Sequence, residues 1–147
     1  IENAIKKSQK IRYGHPFLSE LTEIVIPIFD LILSDCPEDL RPRYLQTRKV
    51  YIFPNGSEIK LIGLDKNPNG LRGNGIAIII LDEAGFINNL KYVYTSVIIP
   101  ATMKMENIKI IMISTPPESP EHFFVELMNR AQVSDNAFYL ELAQGTR

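Results

Sequence analysis

What this 147-residue chain lacks narrows its chemistry before any motif is considered. A single cysteine, Cys36, excludes an internal disulfide framework and a multi-cysteine zinc site, and it suits a reducing compartment. The two histidines, His15 and His122, stand far apart and without metal-ligand spacing. No apolar run approaches the ~20 residues that span a bilayer, and no segment is built like a signal peptide. No glycine is followed by lysine, so these residues contain no G-x-x-x-x-G-K-[ST] phosphate loop. An excess of one charge is missing too: 16 basic residues against 17 acidic ones argue against a general nucleic-acid-coating surface, while leaving room for a local basic patch.

What is there is ordinary for a folded protein. With 45% hydrophobic and 22% charged residues, the chain has enough length and apolar content for one domain with a real core. It starts at Ile1 without a methionine, in a helix-like polar stretch, and stops at "GTR" shortly after a strand-like "AFYLEL". The expectation is a piece of a larger protein.

Periodicity places the elements. From Phe17 to Leu33 the apolar positions Phe17, Leu21, Ile24, Ile28 and Leu31 recur at helical spacing, with Pro27 inside the pattern predicting two helices or a kink. Ser34–Gln46 reads as a proline-bearing connection. Around Pro54-Asn55-Gly56-Ser57, two short apolar runs predict a β-hairpin pairing Lys49–Phe53 with Glu58–Leu64, because Asn-Gly supplies the positive φ of a tight turn. Ile76–Leu81 is continuously apolar, the mark of a strand covered on both faces of a parallel sheet, and Asn107–Ser114 reads as a second one. Between them Ser96–Met103 has helical character interrupted by Pro100. Ser119, Pro120 and Glu121 look like the start of a helix running through "HFFVELMNRA". The pattern predicts an α/β fold, a three-layer sandwich with a mainly parallel sheet plus a β-hairpin.

The chemistry centres on where Ile76–Leu81 ends. It runs straight into Asp82 and Glu83, and burying two adjacent carboxylates is costly unless a cation or a proton intervenes. In a parallel α/β sheet the functional crevice lies beyond the carboxyl ends of the strands. Asp82-Glu83 stands at one such end and Ser114-Thr115-Pro116 at another, with room between them for one crossover helix. In a phosphate-loop NTPase the first carboxylate of such a pair holds Mg²⁺, usually through water, and the second polarises the attacking water. A Ser/Thr at the end of the next strand can sense the γ-phosphate. The bland alternative is a strand that exits into solvent, with Asp82 capping a following helix. "GLRGNG", Gly70–Gly75, does not substitute for the phosphate loop: it precedes a strand and lacks the lysine.

Four segments in order, "FPNGSEIKLIGLD" (Phe53–Asp65), "GLRGNGIAIIILDEAGFI" (Gly70–Ile87), "KIIMISTP" (Lys109–Pro116) and "EHFF" (Glu121–Phe124), resemble the ATPase domain of the large terminase subunit, the DNA-packaging motor of tailed bacteriophages. The resemblance runs from about Tyr51 to Phe124. It implies a partial P-loop NTPase core in which residues 1–147 are part of one ATPase domain, lacking the upstream phosphate loop and the downstream nuclease domain. It further implies ATP and Mg²⁺ as cofactors, with Asp82 as the metal-associated carboxylate and Glu83 as the catalytic base. Ser114 and Thr115 would face the nucleotide and, with Pro116, couple hydrolysis to movement. Arg72 matches an arginine that reaches a neighbouring subunit's nucleotide, a role that suits a planar guanidinium. The implied partners are double-stranded DNA, a homo-oligomeric ring, the portal protein and the small terminase subunit, with no membrane, in the host cell cytoplasm.

Two other functions fit the residues. A helicase-type ATPase also pairs a "DE" strand with a Ser/Thr motif, but usually continues Ala-Asp or Ala-His where this chain has Ala84-Gly85-Phe86. A non-catalytic α/β interaction module would keep the sheet without the nucleotide. Elsewhere, the basic stretch "RPRYLQTRK", Arg41–Lys49, reads as a solvated approach to the hairpin or a contact to DNA phosphates. His122 reads as packing at the start of its helix, and Cys36 as a half-buried small apolar residue.

Overall fold

The computed structural model describes residues 1–103 and 107–141. Six strands form one sheet: β1 (Lys10–His15), β2 (Arg43–Leu45), β3 (Val50–Ile52), β4 (Glu58–Gly63), β5 (Ile76–Leu81) and β6 (Lys109–Met112). They lie side by side in the order β2-β3-β4-β1-β5-β6. The pairs β4–β1, β1–β5 and β5–β6 are parallel, whereas β2–β3 and β3–β4 are antiparallel. The expected hairpin is β3–β4, with Tyr51 opposite Ile59 and Gly56 at φ +83° in its turn. Only a residue without Cβ takes that angle easily.

β1 is the element that periodicity missed. The "helix-like" opening is helical only over α1 (Glu2–Lys6), and the sheet's central strand follows directly. Its sequence, "KIRYGH", is not an apolar run, so it does not look buried. It is buried because the charge of its arginine is paired across the sheet, although the Arg12 Nε has no hydrogen-bond partner among the described residues. Arg12, only 6% exposed, places Nη1 2.7 Å from Oε1 of Glu58 on the neighbouring strand. Gly14 lets the sheet close up, since a methyl group there would lie 3.0 Å from Leu81 Cδ2.

Helix α2 occupies residues 18–34 as three consecutive segments, Leu18–Glu20, a π-helical Leu21–Val25 and Ile26–Ser34. Pro27 therefore neither splits nor ends it. A proline withholds its N–H and crowds the preceding turn, and a wide π turn just ahead relieves both problems. The same device recurs in α3, residues 90–102, where π-helical Val93–Ile98 precedes Pro100. The helix sensed at Ser96 thus begins two turns earlier. Helix α4 (Phe123–Gln132) starts later than its Ser-Pro-Glu signal predicts. Ser119 instead closes a local turn with the N–H of Glu121, and His122 takes the cap.

The three layers are α2, the sheet, and α3 with α4. On the α2 side, Leu21, Val25 and Leu33 pack over Ile11, Tyr51, Ile59, Leu61 and Ile78. On the other, Leu90, Val93, Val97, Ile98 and Phe124 pack over Ile62, Ile76, Ile79 and Leu81. Each such side chain contributes roughly 2 kcal/mol by leaving water. β6 departs from the two-sided reading. It is an edge strand whose Ile110 and Met112 join the α3–α4 core, while Ile111 and the following Ile113 are exposed. Residues 34–46, expected as connection only, contribute the other edge, β2. Ala137–Glu141 is irregular rather than a strand, and Leu142 lies outside the described residues. Cys36 is half-buried against the α2-side core, as expected. Among the described residues no helix is long and apolar enough to cross a membrane.

Candidate active site

The parallel register brings the carboxyl ends of β1, β5 and β6 together. The Asp82 N–H donates to the Gly14 carbonyl at 2.9 Å, and the Ile113 N–H to the Leu81 carbonyl at 2.9 Å, so pairing continues one step past the regular strands. Ile80 and Asp82 share the α2 face by alternation, which aims Asp82 into the crevice between α2 and the sheet. That crevice measures about 250 Å³ and is lined by Tyr13, His15 and Glu20 as well as Asp82 and Glu83, with Ile24 and Ile28 of α2 as an apolar wall.

Two adjacent carboxylates line this one crevice, and the backbone turns sharply between them. Glu83 sits in the left-handed region at φ 49°, ψ 44°, which reverses the chain directly after Asp82. A non-glycine residue in that region is strained by about 1 kcal/mol or more. Both oxygens of Asp82 are engaged: Oδ1 accepts the Glu83 N–H at 3.0 Å, and Oδ2 accepts the Tyr13 hydroxyl. Glu83 differs. Its Oε2 is buried and has no hydrogen-bond partner among the described residues. Burial first, then the hydrogen bond to Asp82 and the negative charge of both carboxylates, holds the Tyr13 phenol well above its ordinary range, so it remains a donor.

Ser114 and Thr115 follow β6, one strand over. Oγ of Ser114 accepts the Gly85 N–H at 2.9 Å, and the Ala84 N–H donates to the Ile113 carbonyl at 3.0 Å. The segment carrying the carboxylates is thereby tied to the Ser-Thr-Pro segment, while Thr115 and Pro116 are exposed. His122 adds a third tie. Its Nδ1 accepts the Phe124 N–H at 3.1 Å, so Nε2 carries the proton and donates to the Ile87 carbonyl at 3.1 Å.

Of the expected site residues, Asp82 and Glu83 line the crevice together, whereas Ser114 is joined to their loop through Gly85 without lining it and Thr115 follows, exposed. Arg72 does not join them within this chain. It is exposed, follows a short 3₁₀ turn (Pro68–Leu71), and donates to the Ser96 carbonyl of α3 at 3.0 Å, on the sheet face opposite α2. Tyr13, His15 and Glu20 were not anticipated. The available signal was the alternation Ile11, Tyr13, His15, which places those three on one face of a strand.

Mg²⁺ fits this donor set in a limited way. No three of His, Cys, Asp and Glu are grouped as a cage among the described residues, so a cation here would rest on Asp82 and take its remaining ligands from phosphate and water. The Glu83 oxygen without a partner is shut off from solvent, so it would meet a water only by turning into the crevice.

Comparisons with known proteins bear on the family and the fold. Residues 29–138 match the family described as terminase large subunit, T4likevirus-type, N-terminal. No curated protein sequence matches. Among solved structures, the large terminase of a thermophilic bacteriophage is similar at 15% identity over 86% of this chain and 31% of its own, with a TM-score of 0.67; another crystal form of it is a complex with ADP. The HK97 bacteriophage large terminase is similar at 20% identity over 89% of this chain and 28% of its own, TM-score 0.63. The N-terminal domain of the DNA packaging ATPase from bacteriophage phi29 is similar at 17% identity, covering 92% of this chain and 76% of that one, TM-score 0.63. The chain thus spans about a third or less of the length of the two large terminases, and the likeness to all three is one of fold.

Proposed function

The chain belongs to the terminase large subunit family, T4likevirus-type, N-terminal, and from that premise we propose that it is part of an ATPase that drives double-stranded DNA into a viral procapsid. The observation that carries the reading is the adjacent, differently partnered pair Asp82 and Glu83 at the carboxyl end of β5, hydrogen-bonded through Gly85 to Ser114. One carboxylate with both oxygens held suits a metal-associated ligand. One with an unpartnered oxygen suits a base that orients water for in-line attack on phosphorus once that oxygen turns toward it.

In this reading Asp82 would hold the Mg²⁺ that comes with ATP, and the metal would supply neutralisation of charge on the phosphates. Glu83 would polarise the attacking water, and Ser114 and Thr115 would report on the γ-phosphate. Loss of that phosphate alters the Ser114–Gly85 bond and so reaches α4 through Ile87 and His122. Arg72, exposed on the other face, serves a neighbouring subunit's nucleotide in a homo-oligomeric ring. The phosphate loop, which the 147 residues do not contain, comes from another part of the protein. Exposed Ile111 shares the sheet face of α2's exposed Ile24 and Ile28 and gives that part an apolar surface. By family, the portal protein and the small terminase subunit are the partners, and the setting is the host cytoplasm.

The test is Mg²⁺-dependent ATP hydrolysis by the intact protein and its Glu83→Gln variant. Turnover is expected to fall at least a hundredfold with KM for ATP changed only a few-fold, because Glu83 acts in the transition state. A loss below about tenfold would remove Glu83 as base and favour a non-catalytic module.

A further inference from the structure

We infer that Tyr13 is a positioning residue for Asp82, fixing the plane of its carboxylate so that the lone pairs left over face the crevice. The inference rests on the ATPase reading above and concerns a residue outside the motifs that led to it. A carboxylate at the end of a strand rotates readily about its last bond, because that torsion is broad. Here two donors stop it. The Tyr13 hydroxyl holds Oδ2 and the Glu83 N–H holds Oδ1, one donor for each oxygen.

The donor itself is held. Tyr13 lies on the central strand, paired on both sides, and its ring meets Phe29 of α2 edge-on, with centroids 5.9 Å apart and planes at 79°. Phe29 stacks in turn on Tyr51 of β3 at 5.4 Å and 20°. The phenol tip therefore has little freedom in the folded protein. Its bond also distinguishes two otherwise equivalent neighbours: Asp82 is clamped, whereas Glu83 retains an oxygen without a partner. Environments that separate two carboxylates are what lets each take a different role.

Tyr13→Phe in the intact protein removes the donor and keeps the ring and its stacking. Partners that orient a metal-associated ligand typically change metal affinity by about tenfold or more. The Mg²⁺ concentration for half-maximal ATP hydrolysis is therefore expected to rise about tenfold, with KM for ATP at saturating Mg²⁺ within about twofold of wild type. Independently of turnover, Mn²⁺ affinity in the presence of ADP, followed by electron paramagnetic resonance, is expected to fall by about the same factor. In an Asp82→Ala background, Tyr13→Phe is expected to change Mn²⁺ affinity less than about twofold, since the oriented group is gone. An active Tyr13→Phe protein with unchanged metal dependence, even one with a lower melting temperature, makes Tyr13 merely structural and overturns the inference while leaving the ATPase reading intact. A full effect persisting without Asp82 overturns it as well. A wild-type protein that neither hydrolyses ATP nor binds Mn²⁺ with ADP removes the ATPase reading and this inference together.

Discussion

The backbone N–H of Gly85 donates to Oγ of Ser114 at 2.9 Å, and a methyl group on Gly85 would lie 2.8 Å from that same oxygen. It would also lie 3.0 Å from the Thr115 carbonyl oxygen and 3.3 Å from the Pro117 nitrogen, both backbone atoms that cannot swing aside. Gly85 is therefore set by the closeness of two segments and not by its own φ. Gly85→Ala is expected to push the Ser-Thr-Pro segment off the carboxylate loop, destabilising by roughly 2–3 kcal/mol. Ser114→Ala removes the acceptor without the clash and should cost about 1 kcal/mol. Thermal melts of the two variants check the order; equal losses would mean that the close approach does not exist.

His122 separates two contributions at the start of α4. Its Nδ1 caps the helix and its Nε2 ties Ile87 to it. Asparagine is a good cap residue but too short to keep the second bond, so His122→Asn should retain the cap and lose only the tie. The alanine variant loses both and is expected to be destabilised by about 1–2 kcal/mol, against about 1 kcal/mol or less for asparagine. Hydrogen exchange across residues 84–87 should quicken in both variants. Slow exchange there in His122→Asn would mean that the Ile87 bond carries no weight.

Much of this architecture is legible in the sequence where one physical signal dominates. Continuous apolar residues from Ile76 to Leu81 give β5, and Asn55-Gly56 gives the turn of the β3–β4 hairpin. The carboxylate pair and Ser114 follow from strand ends in a parallel sheet. β1 is illegible for a definite reason: its burial depends on Glu58 neutralising Arg12 from a strand 46 residues away, which no local window contains. Tyr13 and His15 are hidden with it, so two of the polar side chains that line the crevice are out of reach. The exposed side of β6 is equally invisible, because "KIIM" reads the same whether one or both faces are covered.

Tyr51 makes alkaline stability a measurable quantity. Burial first, then its hydrogen bond to Oδ1 of Asp30 at 2.8 Å, raises the phenol well above its ordinary range. The folded state then keeps a proton that the unfolded chain releases near pH 10, so the unfolded state binds fewer protons and stability falls as pH rises above about 10. Below that value the contribution is fully present. In Tyr51→Phe the alkaline decline should be shallower by one group, at the expense of about 1 kcal/mol at pH 7. Unfolding midpoints of the two proteins between pH 8 and 11 provide the comparison. An identical alkaline slope would place the Tyr51 proton in water.

Glu83 is the position where stability and activity should part. Its left-handed backbone is a conformation that glycine adopts freely and alanine does not, and its Oε2 is buried without a partner. Replacing it removes an unsatisfied polar atom either way, so neither Glu83→Gly nor Glu83→Ala should be less stable than wild type by more than about 0.5 kcal/mol. The glycine variant should exceed the alanine variant by about 1 kcal/mol, or a few degrees in melting temperature, because only alanine retains the backbone strain. Both should lose ATP turnover alike, since the carboxylate is gone in each. An alanine variant as stable as the glycine variant would show that the backbone at 83 relaxes out of the left-handed region. The strain would then not be what sets the Glu83 side chain relative to Asp82, and the two carboxylates would owe their different surroundings to Tyr13 alone.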